Sequence, residues 1–285
     1  EERIHDQLPT VEEAKANLSP LPATNPKKKM LKIGGAILLL VALLGTIIAL
    51  TGKKEEPPMQ ITTRGEEVIE FLFDLGVSPL PALKDPTFAQ HKAAVFVADG
   101  DNYKMDYKES PEAAKRFIER FALVTMFYHF NGASWAYNLN FLSAQDHCNW
   151  SSTFTTATSD KTIIKGVVCN EEGFVTALQL SQNNLQGRHI PNEINSLTHL
   201  ETLHLYFNTI VGEFPVVREM KNLKSIALMQ TGLVGTIPEW IGEMSQLTTL
   251  ALGNNQLHGM VPSSISNLRN LKILGLDDNS GLTGN

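Results

Sequence analysis

The chain lacks what catalysis and nucleic-acid binding usually require. It has no H-E-x-x-H, no G-x-S-x-G, no P-loop and no kinase signature, and no pair of carboxylates stands in a recognisable catalytic context. Basic residues do not outnumber acidic ones: the net charge is -6 over 285 residues, the opposite of a nucleic-acid footprint. Cysteine is nearly absent, with Cys148 and Cys169 alone, and neither a C-x-x-C nor an H-x-x-H spacing suggests a metal. The sequence therefore reads as non-enzymatic, with no catalytic residue, no cofactor, no metal and no nucleic-acid partner.

What the chain does have is a period. From Val175 to Asn285 the pattern L-x-x-L-x-L-x-x-N-x-L-x-G-x-I-P begins five times, at Val175, Leu200, Leu223, Leu247 and Leu271, at spacings of 25, 23, 24 and 24 residues. That period fits the leucine-rich repeat class. In each copy two apolar residues stand two apart (Leu203 and Leu205, Ile226 and Leu228, Leu250 and Leu252, Leu274 and Leu276), so both leave a short strand on one face. A single copy cannot bury them, and stacking supplies the core. Asn183, Asn208, Asn255 and Asn279 occupy the slot where a side-chain amide meets backbone groups left unpaired beyond the strand, and Thr231 replaces the Asn in the third copy. Further departures are the extra residue at Arg188-His189 and a second copy one residue short near Met220. The expected fold is an α/β leucine-rich repeat solenoid with short parallel strands on its concave face.

Before the repeats the reading proceeds in stages. Residues 1–32 are polar and proline-bearing and read as a disordered cytosolic tail. Residues 33–52 carry no charge, and twenty helical residues span about 30 Å, the hydrocarbon thickness of a bilayer, so one transmembrane helix is expected. Residues 53–64 read as a linker. A helical juxtamembrane and cap segment should fill 65–147, with one helix carrying Val68, Ile69, Leu72, Phe73 and Leu75 inward and a second from Thr87 to Ala98 with Asp85-Pro86 at its start. The third, from Ser110 to Phe130, has Ser110 as N-cap, Pro111 in the first turn, and Phe117, Phe121, Val124 and Tyr128 on one face. This helical segment is expected to cover the apolar end of the first repeat. The stretch Ser151 to Thr162 is expected to be an exposed loop. Glu1 in place of a Met, and an array that stops within its fifth repeat, suggest that both ends are cut.

Trp135, then Cys148-Asn149-Trp150, then Gly166-Val167-Val168-Cys169, then Gly173-Phe174-Val175, resemble the N-terminal cap of plant-type, extracellular leucine-rich repeat receptors. The single N-terminal span and the helical segment before the cap look most like the single-span leucine-rich repeat receptor-like proteins of diatoms. The resemblance implies a recognition module and no kinase activity, since in plant receptor kinases the span follows the repeats.

Residues 148–174 are expected to form a cap closed by a Cys148 to Cys169 disulfide, worth about 3 kcal/mol for a loop of this size. A metal held by His147, Cys148 and Cys169 is the alternative, without a supporting motif. Asn149-Trp150-Ser151 is a glycosylation sequon, as is Asn17-Leu18-Ser19. Lysines and arginines number four on the N side of the span and three on the C side, a weak bias. The cysteines and Asn149 orient the protein better: a single-pass, type II plasma-membrane protein with extracellular repeats.

The concave residues are mostly small or polar, and against them His204, Tyr206, Phe207, Met229, Gln230 and Asn254 form the candidate ligand-binding patch. The function read from this is a membrane-anchored recognition protein for an extracellular peptide, glycan or protein, acting with a co-receptor or as a homodimer. The alternative is a structural or adhesion protein of the cell surface or wall, holding many weak sites in parallel.

Overall fold

The computed structural model describes residues 61–155 and 162–284. The expected tail, membrane span and most of the linker lie outside these residues. Among the described residues no helix is long and apolar enough to cross a membrane.

The first helix, α1 (Thr63–Asp74), takes in the last two residues of the expected linker. Thr62 explains the start: its Oγ1 accepts the Gly65 N–H at 3.0 Å while its hydroxyl donates to Asp99 at 2.8 Å. Val68, Ile69 and Leu72 are buried as expected, but Phe73 and Leu75 are 46% and 57% exposed. At 100° per residue, Phe73 stands about 140° around the helix from Val68 and faces outward. Helices α2 (Leu80–Lys84) and α3 (Ala89–Val95) follow, α3 running into a single π turn at Phe96–Gly100. The expected start at Thr87 is corrected. Asp85 Oδ1 accepts both the Thr87 N–H and hydroxyl, at 2.9 and 2.7 Å, and this local turn holds Pro86 between the two helices.

Helix α4 (Pro111–His129) has the expected cap, Ser110 Oγ accepting the Ala113 N–H at 3.0 Å. It is not amphipathic in the expected sense. Phe117, Glu119, Arg120 and every residue from Phe121 to Phe127 are buried, because α4 is packed both by the other helices and by the first repeat. Ser78 and Gln90 donate to Glu193 Oε1 at 2.6 and 3.1 Å, and His129 Nε2 lies 2.6 Å from the Arg188 carbonyl, so three parts of the helical region are tied to the first repeat.

A hairpin then enters the sheet: β1 (Ser151–Thr155) pairs antiparallel with β2 (Thr162–Cys169), and β2 antiparallel with β3 (Val175–Gln179). The expected loop from Ser151 is thus a strand over its first five residues, with Phe154 and four Ser or Thr residues suited to a half-buried ribbon. Gly166 is essential to the hairpin. Its φ is 110°, and a Cβ there would meet the Trp150 carbonyl oxygen at 2.2 Å.

The repeats extend the sheet with parallel strands β5 (Thr202–His204), β7 (Ser225–Ala227), β9 (Thr249–Ala251) and β11 (Ile273–Gly275), in the order β1-β2-β3-β5-β7-β9-β11. A second parallel line runs alongside, pairing β4 (Gln186–Arg188) with β6 (Thr209–Val211) and β10 (Gln256–Met260) with β8 (Val234–Gly235) and β12 (Gly281–Thr283). Short 3-10 turns at Asn192–Ser196, Glu239–Glu243 and Ser263–Asn267 form the return side. Leu178, Leu180, Leu203, Leu205, Ile226, Leu228, Leu250 and Leu252 are fully enclosed, whereas Leu274 of the fifth repeat is 45% exposed.

The asparagine slot works across repeats. Asn208 Oδ1 accepts the N–H groups of Asn183 and Leu185, and its Nδ2 donates to the carbonyls of Leu180 and Leu205, at 2.8 to 3.1 Å. Asn255 repeats this, taking the N–H groups of Thr231, Gly232 and Leu233 and serving Leu228 and Leu252. Thr231 carries less: its hydroxyl donates within its own turn to Leu228 O at 2.8 Å. Asn183 faces the other way, its Oδ1 accepting the Tyr137 N–H at 2.6 Å. The helical region thereby uses the same slot that one repeat offers the next.

Candidate functional site: the concave face

The ladder continues beyond the short strands. Gln182 N bonds Tyr206 O, Phe207 N bonds Met229 O, Gln230 N bonds Gly253 O and Asn254 N bonds Asp277 O, all at 2.8 to 3.0 Å. These bonds put two rows in register. One runs Ser181, Tyr206, Met229, Gly253, Asp277, and the other Gln182, Phe207, Gln230, Asn254, Asp278. Neighbours within a row are about 4.8 Å apart, the strand spacing.

The second row has an unusual backbone. Its five residues hold φ values of 54°, 57°, 50°, 56° and 51°, all left-handed. Asn and Asp tolerate that region; a bulky side chain there costs about 1–2 kcal/mol. The turn into each asparagine slot imposes the conformation, and in the second repeat it falls on Phe207. The ring of Phe207 stands edge-on to Tyr206, with centroids 5.7 Å apart, and both are half-buried. Met229 is half-buried beside them, Gln230 is exposed and Asn254 is half-buried with its Nδ2 unpartnered.

His204 does not belong to this surface as expected. It is 6% exposed, its Nε2 lies 2.8 Å from Ser225 Oγ, and burial pushes its pKa down to about 4. The residue stands two before Tyr206 on the same face, but the narrow Ser225 in the next repeat lets the ring lie down over it. His204 is a neutral support for Tyr206, whose ring is 6.1 Å away. Of the six expected residues, the structure brings Tyr206, Phe207, Met229, Gln230 and Asn254 together at the surface.

Sequence reasoning missed the far end of the row. Asp277 leans over Gly253, so that a Cβ at Gly253 would meet Asp277 Oδ1 at 2.7 Å, and Asp277 and Asp278 are exposed. The concave surface therefore changes from aromatic to acidic over about three strands. It also missed Lys165, which lies 4.3 Å from the Tyr137 ring centroid and donates to Ser181 O at 3.0 Å; burial lowers its pKa to about 8. No periodic signal marks Lys165, since its cage joins the hairpin to the loop before it.

The cap holds the remaining expected residues. Cys148 and Cys169 form a disulfide with Cα atoms 5.5 Å apart. His147 is fully buried, and one of its ring nitrogens lies within 4.8 Å of both sulfurs. With the sulfurs bonded to each other, the three do not make a metal centre. Asn149 has an exposed side chain between buried His147 and buried Trp150. Arg120 fixes this corner. It pairs with Asp101, donates to the carbonyls of Ser143 and Gln145, and stacks 4.3 Å from the Trp150 ring centroid. Away from the patch, a cavity of about 440 Å³ is lined by Glu112, Lys115, Glu172, Phe174 and His199.

Comparison with known families agrees with the repeat reading. The leucine rich repeat family matches residues 221–280. A search of curated proteins gives no match. Among solved structures, the chain is similar to a plant ice-binding protein (26% identity over 56% of this chain and 48% of that one, TM-score 0.42). It is also similar to a plant peptide hormone receptor, RGFR1, solved in complex with RGF2 (33% identity, 42% and 24% of the two chains, TM-score 0.37). A third likeness is to the ectodomain of the receptor kinase SOBIR1 from Arabidopsis thaliana (21% identity, 57% and 93%, TM-score 0.37). The chain thus spans 48% and 24% of the first two. The fold itself rests on the strand register described above, and the family match spans Met229, Gln230 and Asn254 of the patch.

Proposed function

We propose that this chain is a receptor-like recognition protein of the plant-type leucine-rich repeat class, anchored by residues 33–52 with its repeats outside the cell. It binds an extracellular peptide, glycan or protein partner on the concave patch of Tyr206, Phe207, Met229, Gln230 and Asn254. A co-receptor or a second copy passes the event on. The single-span arrangement is the one the diatom proteins suggest.

The observation that carries this reading is Phe207. A large aromatic ring occupies a left-handed position where other repeats place Gln, Asn or Asp, and it is displayed beside Tyr206 and Met229 on the concave side. The left-handed backbone is common to the whole row, so what sets the second repeat apart is the aromatic side chain placed there, half-buried beside Tyr206. The disulfide and the exposed Asn149 support an oxidising, glycosylating compartment.

Two measurements test the reading. In eukaryotic membranes, glycosidase treatment of the full chain should shift its mobility, and Asn149→Gln should abolish the shift; abolition by Asn17→Gln instead would place the repeats in the cytosol. Extracellular peptide and glycan extracts should bind the full chain saturably, and the Tyr206→Ala, Phe207→Ala double variant should lose that binding. Multivalent adherence untouched by the double variant would favour adhesion.

A further inference from the structure

His147 poses a chemical problem. It is 0% exposed, and neither ring nitrogen has a hydrogen-bond partner. An orphaned buried polar group is costly, so its placement calls for an explanation. The atoms around it supply one. A ring nitrogen of His147 and the sulfurs of Cys148 and Cys169 all lie within 4.8 Å of one another. Glu119 Oε2 is 3.7 Å from Nε2, and Asp146 Oδ1 is 3.7 Å from Nδ1. A carboxylate behind a ring nitrogen is the arrangement that fixes the tautomer of a ligating histidine. Glu119 Oε2 is itself held by the Val175 N–H at 3.0 Å, and Asp146 by Arg116, Tyr103 and the Cys148 N–H. The imidazole is thus held between two carboxylates with both sulfurs within 4.8 Å of one ring nitrogen, and while the sulfurs are bonded to each other they do not serve as ligands.

We propose that reduction of the Cys148–Cys169 bridge turns this corner into a zinc site. The two thiolates and His147 are the protein ligands, and water is the fourth. Two sulfurs and one imidazole form a borderline-soft donor set that suits tetrahedral zinc. The chemistry balances. Two molecules of a small thiol reduce the bridge to two cysteine thiols and leave as their own disulfide; zinc then displaces the two thiol protons to solvent as it binds. Once released from each other, the sulfurs separate by side-chain rotation until each sits about 2.3 Å from the metal. The loop from 148 to 169 stays closed in either state, by a covalent bond under oxidising conditions and by a metal under reducing ones.

The test uses cobalt as the probe, on the full chain in detergent, reduced anaerobically with a phosphine that does not bind metal. The reduced protein should take up one cobalt ion per chain, with a thiolate-to-cobalt charge-transfer band and the d–d absorption of a four-coordinate ion, and zinc should displace it stoichiometrically. The oxidised protein should show neither band. His147→Gln, close in size, should weaken binding at least tenfold while near-ultraviolet circular dichroism stays native, and the Cys148→Ser, Cys169→Ser double variant should abolish the charge-transfer band. The proposal is overturned if reduced wild type shows no band, if reduction alone removes the native circular dichroism before metal is added, or if His147→Gln binds cobalt as tightly as wild type.

Discussion

The helical region and the repeat array solve the same problem, burial of polar groups, in opposite ways. In the array each slot is served from one period away: Asn208, Asn255 and Asn279 reach back across a single repeat, and at each one an N–H and a carbonyl of the preceding coil are bound in the same way. In the helical region the partners are unique. Arg120 finds Asp101, Ser143 and Gln145, Glu119 finds Val175, and Glu193 finds Ser78 and Gln90, at separations from 19 to 115 residues. Repetition makes the first strategy tolerant, because a weak rung such as Thr231 is spanned by its neighbours. Uniqueness makes the second unforgiving.

That contrast can be broken most severely at Arg120. Arg120→Ala leaves Asp101 buried without its counter-ion, and the loss should be about 3–5 kcal/mol by urea denaturation followed through tryptophan fluorescence. If the loss stays below 1 kcal/mol, the helical region is as tolerant as the array.

Acid should act next most strongly, and on the array. The folded pKa of His204, about 4, lies below its ordinary value of 6.5. The unfolded chain therefore takes up the proton first, so stability is intact above pH 6.5 and falls as pH drops toward 4. The total is about 3 kcal/mol at 1.36 kcal/mol per pH unit. Denaturation midpoints of wild type and His204→Gln across this range should diverge, and parallel curves would exclude the assignment.

Within the array the rungs grade the effect. Asn255→Ala orphans the N–H groups of Thr231 and Leu233 and should cost about 2 kcal/mol. Thr231→Asn, by contrast, should gain about 0.5–1 kcal/mol if its slot is otherwise intact. Thermal unfolding of the pair shows whether the two rungs are equivalent. One further change of about that size has the opposite sign to its functional effect: Phe207→Asn relieves the left-handed strain and should stabilise the chain by about 1 kcal/mol, yet weaken capture of the extracellular ligand. A variant both more stable and fully binding would remove Phe207 from the site.

The same contrast explains what could be read in advance. The repeat starts, the inward leucines and the asparagine slots are visible because stacking forces one spacing on every copy. The cap of α4 at Ser110 and Pro111 is also local and also visible. By contrast, the apolar character of Phe73 and Leu75 points inward, but helical geometry turns Phe73 out and the helix has already ended at Leu75, its C-cap. The β1–β2 hairpin was hidden in a Ser and Thr run whose strand character comes from its pairing with β2. At the site, the rows were legible, but the burial of His204 depends on the small side chain of Ser225 one repeat away. The acid end at Asp277 depends on the openness left by Gly253.

The hairpin has one more consequence. Parallel strands in a solenoid can be added indefinitely, since each leaves an edge like the one it covered. Between β2 and β3 the direction reverses, and from there the ladder alternates closely and widely spaced bonds in place of even ones. With β2 antiparallel to both of its neighbours, β1 runs in the same direction as β3 and the repeat strands. The hairpin thus gives the array polarity: it sets a first rung built from one long strand and its antiparallel partner, unlike the three-residue strands that follow.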